Sequence, residues 1–141
     1  MQSSLNRGGR PTLFGYVRSV AGAAAWAVGA VVKMGGVVMG VRRVVVEGDS
    51  MLPTLAPGDR LLVRRTRRIK VGDLVAVPDP RLRSRLLVKR VEALDGRWLT
   101  VAGDNERESS DSRHFGPLPR RSVRGMVLRR YAPSSRAGPV R

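Results

Sequence analysis

The chain has 141 residues and a formal net charge of +16 at pH 7. That length suits one domain with a modest core and falls short of what two would need. With no cysteine and one histidine, disulfide frameworks, thiolate metal sites and multi-histidine metal centres are excluded, and no cofactor is expected.

Residues 1–18 are polar and basic, with Gly8-Gly9 and Pro11, and read as a flexible start. Residues 19–41 are rich in Ala, Gly and Val, with Lys33 the only charge. A bilayer takes roughly 20 apolar residues, so the segment is about long enough to cross one. Alanine and glycine contribute little transfer energy, however, and a central lysine costs about 2.5–3.5 kcal/mol on insertion scales. The segment reads equally as an apolar helical signal anchor or membrane-lying helix and as a loosely packed soluble extension, or as a stretch ahead of the true start. A cleaved signal peptide fits less well, because Lys33 interrupts the apolar region. The expected location is therefore cytoplasmic or membrane-associated.

From Val44 onward the pattern changes to short strands punctuated by turns. Val44-Val45-Val46 leads into Gly48-Asp49-Ser50-Met51-Leu52-Pro53-Thr54-Leu55, and Pro57-Gly58-Asp59 marks a turn before a strand over 60–65. Further strands are expected over 74–77, stopping at Pro78, and over 86–91. Asp95-Gly96 signals a hairpin into a strand over 98–102. A last strand over 123–131 precedes a Pro/Ser/Gly-rich flexible tail, 132–141. The expected fold is a small, mainly β domain over 43–131, antiparallel and coiled or partly closed, with the N-terminal apolar helical segment ahead of it.

Two residues in this pattern point to chemistry. Ser50 sits in a turn framed by Gly48 and Pro53. Lys89 shares a strand face with Leu87 and Val91, while Val88, Arg90 and Glu92 point the other way, as if to solvent. Only three lysines (Lys33, Lys70, Lys89) stand among the 27 basic residues, so most positions needing just a positive charge carry arginine. Arginine cannot shed its proton, whereas a desolvated lysine can and then accepts one from a serine hydroxyl. Backbone N–H groups around Gly48 and Ser50 would suit an oxyanion. Alone, such a turn is more often just a turn, and a lone strand lysine usually snorkels to the surface. A polar loop then runs from Gly103-Asp104-Asn105 to Phe115-Gly116-Pro117. Within it Ser109 could hydrogen-bond a buried amine, and Asp111 and Arg113 could form an ion pair.

Together the three segments resemble the signal peptidase I superfamily, the Ser-Lys dyad (S26-type) proteases, over about residues 43–131. The resemblance implies Ser50 as nucleophile, Lys89 as general base, Ser109 as the residue orienting the lysine, and Asp111 and Arg113 as support. Where some members have an oxyanion-hole hydroxyl two residues before the nucleophile, this chain has Gly48. His114 falls where the family has an aromatic and is expected to be non-catalytic. Only the 13 residues 90–102 separate Lys89 from Gly103, whereas large signal peptidases insert a second β domain between the two boxes. That compactness is similar to mitochondrial inner-membrane processing peptidases and, more so, to short nickel-type superoxide dismutase maturation proteases.

The resemblance implies a serine endopeptidase that removes a leader from a precursor protein, the partner expected being the nickel superoxide dismutase precursor. The alternative is a minimal membrane-bound signal peptidase acting on exported preproteins. A nucleic-acid-binding β domain is a third reading. The even spread of arginine and the scarcity of aromatic residues weigh against it, whereas an anionic membrane surface would suit the charge.

Overall fold

The computed structural model describes the backbone of Tyr16–Ser19, Val31–Met34 and residues 37–141, with side chains from residue 40 onward. Its strands are β1 (Tyr16–Ser19), β2 (Val31–Met34), β3 (Val37–Glu47), β4 (Arg60–Arg64), β5 (Leu74–Asp79), β6 (Leu82–Asp95), β7 (Trp98–Ala102), β8 (Leu118–Pro119) and β9 (Gly125–Ala132). A single helical turn, α1 (Ser112–Phe115), lies between β7 and β8. The strands pair antiparallel in the order β1-β3-β4-β9-β5-β6-β7-β8, and β2 pairs with the first part of β3. β1 pairs a second time, through Tyr16 and Val17, with Leu87 and Leu86 of β6. The sheet is therefore coiled and partly closed, the mainly β class expected.

Strand order explains why β5 and β6 are apolar on both faces. Leu74, Ala76 and Val88 pack with Val44, Val46, Leu61, Val63 and Val127 in one cluster. Val75, Val77, Leu87 and Val91 pack with Leu99, Val101 and Leu118 in a second. Full burial of a Val or Leu side chain is worth roughly 1.5–3 kcal/mol, so two clusters give this small domain a substantial core. One expectation is corrected here. The face of β6 that carries Val88 does not look to solvent: Val88 is buried and Arg90 half-buried, while Glu92 is exposed. A central strand covered on both sides cannot show the simple in-out alternation of a half-exposed one.

Other boundaries also move. Of the apolar segment expected to be helical over 19–41, residues 20–30 and 35–36 lie outside the described residues, and the rest that is described belongs to β1, β2 and β3. Those strand residues are rich in β-branched valine, which favours a pleated surface. β6 is longer than 86–91 because its N-terminal end forms a hairpin with β5 through Asp79 and Leu82. In the expected tail 132–141, Arg130 and Gly138 exchange backbone hydrogen bonds of 2.8 Å, and Val140 packs against the first cluster.

The turn residue Asp59 anchors that return. It is 1% exposed and accepts from Arg130 Nη1 at 2.9 Å and from the Ala56 N–H at 2.9 Å, with Arg136 at 3.5 Å. Arg130 Nη1 also donates to the Thr54 carbonyl at 3.0 Å, tying the serine-bearing turn to β9. Truncating one member of a buried ion pair typically costs about 3–5 kcal/mol. Arg136 remains near Asp59, so Arg130→Ala is expected to cost about 3 kcal/mol, read as a lower urea midpoint at unchanged slope. An unchanged midpoint would show that the pair does not hold the turn.

Candidate active site

β3 ends at Glu47, and Gly48 follows with φ 81°, in the region glycine occupies without strain. The chain then turns through Ser50, with the Leu55 N–H bonded to the Met51 carbonyl at 2.8 Å. Met51 and Leu55 both plug into the first core cluster, which fixes the turn from beneath. From the other side Asn105 clamps it. The Asn105 N–H donates to the Ser50 carbonyl at 2.9 Å, and its Nδ2 donates to the Asp49 carbonyl at 3.1 Å.

Lys89 lies in the middle of β6, opposite Val75 of β5, and its side chain is fully buried. Its Nζ is 2.7 Å from Ser50 Oγ and 3.1 Å from Ser109 Oγ. Ser109 Oγ donates in turn to Asp111 Oδ2 at 2.5 Å. The same carboxylate accepts from the Gly103 N–H at 2.9 Å and from the Arg113 fork, at 2.9 Å from Nε and 2.6 Å from Nη2. Ser50, Lys89, Ser109, Asp111 and Arg113 thus form one continuous network, and Gly48 borders it through the backbone. His114 stands apart: it is exposed, and its Nδ1 faces the Asp111 N–H at 3.5 Å as part of the α1 cap.

Electrostatics follow from burial. Desolvation is the largest influence on Lys89 and pushes its amine down from 10.5 to about 8; the Asp111 charge opposes this and the Arg113 charge supports it. At pH 7 roughly a tenth of such an amine is neutral, some 300-fold more than at the ordinary value. Burial by itself disfavours an ionised Asp111, but hydrogen bonds from Arg113, Ser109 and the Gly103 backbone outweigh it and hold the carboxyl well below the usual range. The site therefore combines a fixed carboxylate, a fixed guanidinium and one amine that titrates near neutrality. Such an amine, in contact with a hydroxyl, can take up the hydroxyl proton and generate an alkoxide nucleophile.

Several supporting residues carry no site role in the sequence reading. Asp104 takes a bidentate pair from Arg90, 2.8 Å from Nε and 2.7 Å from Nη2, and accepts from Thr54 Oγ1. This joins the residue after Lys89 to the serine turn. Gly103 is wedged so tightly that a Cβ there would lie 2.2 Å from Ser109 Oγ and 2.5 Å from the Ser50 carbonyl oxygen. The available signal was the Gly103-Asp104-Asn105 triplet itself, whose three members each touch a different part of the site. Among the described residues no three His, Asp or Glu side chains are grouped to hold a metal ion.

A hydroxyl held against a desolvated amine within a coiled antiparallel sheet defines the class, a serine endopeptidase of signal peptidase I type. Comparison with known proteins gives the family: the model described as signal peptidase, peptidase S26 matches residues 17–102 and 96–132, and the chain belongs to that family. Mitochondrial ATP-independent inner membrane protease subunit 1a of Arabidopsis thaliana is 36% identical over 123 residues, covering 68% of this chain and 73% of its own length. Mitochondrial inner membrane protease subunit 1 of Schizosaccharomyces pombe is 31% identical over 110 residues, or 61% of this chain and 70% of its own. A probable signal peptidase I-1 of Synechocystis sp. is 28% identical over 141 residues, 66% of this chain and 72% of its own. Among the described residues no helix is long and apolar enough to cross a membrane.

The Gly103 wedge supplies a test. In Gly103→Ala the new methyl group must displace Ser109 or the Ser50 backbone, so peptidase activity is expected to fall at least about 100-fold, the cost of displacing reacting groups by about 1 Å. Steady-state assays of folded protein would show it, and near-normal turnover would mean that the close packing there is dispensable.

Proposed function

We propose that Ser50 is the nucleophile and Lys89 its general base in an endopeptidase that removes an N-terminal leader from a precursor protein. The 2.7 Å contact between the two groups, with Lys89 fully buried, carries this reading. Ser50 Oγ adds to the scissile carbonyl carbon as its proton passes to Lys89 Nζ. Backbone N–H groups of the turn from Gly48 to Ser50 receive the oxyanion, since Gly48 offers no hydroxyl. The carbon–nitrogen bond then breaks, and the Lys89 ammonium returns the proton to the departing amine. A water, deprotonated by the neutral amine, cleaves the acyl-enzyme and regenerates Ser50. Ser109 orients Lys89, and Asp111 with Arg113 holds Ser109 in place.

For the substrate, the names of the relatives support a leader on an exported or membrane preprotein, processed at a membrane. A second reading rests on the run Val46-Glu47-Gly48-Asp49-Ser50-Met51-Leu52-Pro53-Thr54-Leu55, which resembles nickel-type superoxide dismutase maturation proteases. On that reading the substrate is the dismutase precursor. Incubating the protein with each precursor and reading the new N-termini by mass spectrometry separates them. Cleavage of neither, under conditions where the folded protein is stable, would overturn both.

The dyad makes two further predictions. Ser50→Ala and Lys89→Ala each lose at least about 10³-fold in kcat, as removal of a nucleophile or its base does elsewhere. Lys89→Arg is equally inactive because its charge cannot be shed, and retained cleavage there would remove the general-base assignment. The active form of Lys89 is the neutral amine, whose pKa lies at about 8. The rate is therefore low below neutrality and rises with pH through about 8 before levelling. A pH-rate profile of kcat/KM that is flat from 6 to 9 would contradict it.

A further inference from the structure

Both reacting groups are shut away: Ser50 and Lys89 are each 0% exposed. A polypeptide cannot meet Ser50 Oγ until something beside it moves. From beneath, Met51 and Leu55 fix the serine turn in the core. From the loop side, Asn105 clamps the turn and Ser109 caps the amine. Between β3 and β6 lies β1. On one side its Tyr16 stands opposite Glu47 and its Ser19 opposite Val44; on the other, Tyr16 and Val17 stand opposite Leu87 and Leu86. It bridges the strand that leads into Ser50 and the strand that carries Lys89.

β1 runs antiparallel to both, so Tyr16 is its end nearest the dyad. None of its residues lies opposite Ser50 or Lys89, so β1 covers the approach without offering Ser50 a peptide bond to cut. On the edge of β6 away from β5, β1 holds Leu86 and Leu87 and β7 begins at Arg90. Val88 and Lys89 fall between the two, with no strand partner on that side. An extended peptide bound by strand addition needs free edges of this kind, where its main chain can pair. The edges leading to the dyad are β3 over 44–47 and β6 over 86–87, and β1 takes both. Its grip on β6 is short, whereas β5 follows β6 from Leu86 to Arg90.

We propose, on the reading of Ser50 and Lys89 as the peptidase dyad, that β1 is an autoinhibitory strand. In place, it fills the peptide-binding edges beside the two groups. A substrate enters as β1 leaves, and pairs with the same edges. A fixed structural strand would pair identically, so what separates the two is whether β1 must move for cleavage.

The chain has no cysteine, so an introduced pair reports alone. Arg18 and Val45 stand opposite each other, and such residues of antiparallel strands lie about 4.5–5.5 Å apart at Cα, within disulfide reach. On oxidation R18C/V45C should lose at least about 10-fold in kcat/KM for precursor cleavage and regain it with reductant, since locking removes the binding-competent form. The control V45C/R60C ties the same position of β3 to its other neighbour, β4, and should cleave equally in both states. Proline lacks the N–H and the geometry a paired strand position needs, so V17P/R18P frees β1. A minor open state is commonly about 10% populated or less, so that variant should gain at least about 10-fold in kcat/KM.

A dye-labelled peptide of residues 12–22 reports on the edges without any cleavage. By fluorescence anisotropy it should bind V17P/R18P at least about 10-fold more tightly than oxidised R18C/V45C. Equal cleavage by the oxidised and reduced disulfide pair would make β1 a fixed strand and overturn the proposal, even where the proline variant does not fold. So would a folded V17P/R18P that is no faster than the wild type. If no form cuts either precursor yet the peptide still separates open from locked protein, the dyad reading fails and the gating of the edges stands.

Discussion

The contact on which the rest of this structure depends is the one between the Lys89 amine and the Ser50 hydroxyl, made where water does not reach. In solvent neither group is reactive at neutral pH: the lysine holds its proton and the serine has no base. Moving the pair inside a sheet changes one of these facts. Lowering the amine from 10.5 to about 8 corresponds to a disfavoured ammonium on the order of 3 kcal/mol. The sign is that of a group whose native value lies below its unfolded one. The penalty weighs on the folded state at neutral pH and fades as pH rises from 8 towards 10.5. A domain of this size tolerates it because β5 and β6 are covered on both faces, each buried valine or leucine contributing an amount of the same order.

How the carboxylate is placed decides whether that amine stays useful. If Asp111 touched Lys89 directly, a short ion pair would hold the ammonium and push its pKa back up. The hydroxyl of Ser109 stands between them instead, 3.1 Å from the amine and 2.5 Å from the carboxylate. Asp111 still raises the lysine, but the Arg113 guanidinium on its far side lowers it, and desolvation outweighs both. Asp111 is free to act as a geometric post. It fixes Ser109, receives the Gly103 N–H and caps α1 through the Arg113 N–H at 3.1 Å. One buried carboxylate thereby helps set the position of the amine through Ser109, while its upward pull on the amine is outweighed by desolvation.

This division also explains what could be read from the residues alone. Ser50 and Lys89 are legible because each breaks a local rule: a glycine-framed serine before a proline, and a lysine on an apolar strand in a chain that otherwise uses arginine. The strands 60–64, 74–77 and 98–102 are legible because turns bracket them. Arg90 was not, since strand alternation sends it to the face opposite Lys89. Only the fold brings Asp104 across to meet it. Asp59 reads as an ordinary turn residue until β9 delivers Arg130 from 71 positions away. Two-residue β8 has too little sequence to carry a period. What escapes the sequence is thus long-range pairing of charges, which has no local signature.

The same pairing gives the basic surplus a shape. Eleven acidic residues face 27 basic ones, so most cations must lack a partner. The acids are nevertheless not spread evenly. Asp59, Asp79, Asp104 and Asp111 are drawn into the fold, each gripped by arginine where a turn or loop must be held. Arginine suits that work because its planar fork matches a carboxylate and loses little freedom when it binds. With those acids turned inward, the positive field outside is left least opposed where several cations share one carboxylate. The loop between β4 and β5 is such a place, and it is pinned to β6 at Arg90 and Val91, next to Lys89. Cations that close no ion pair among the described residues are thereby gathered beside the strand that carries Lys89, while those that do hold the turns and loops around it.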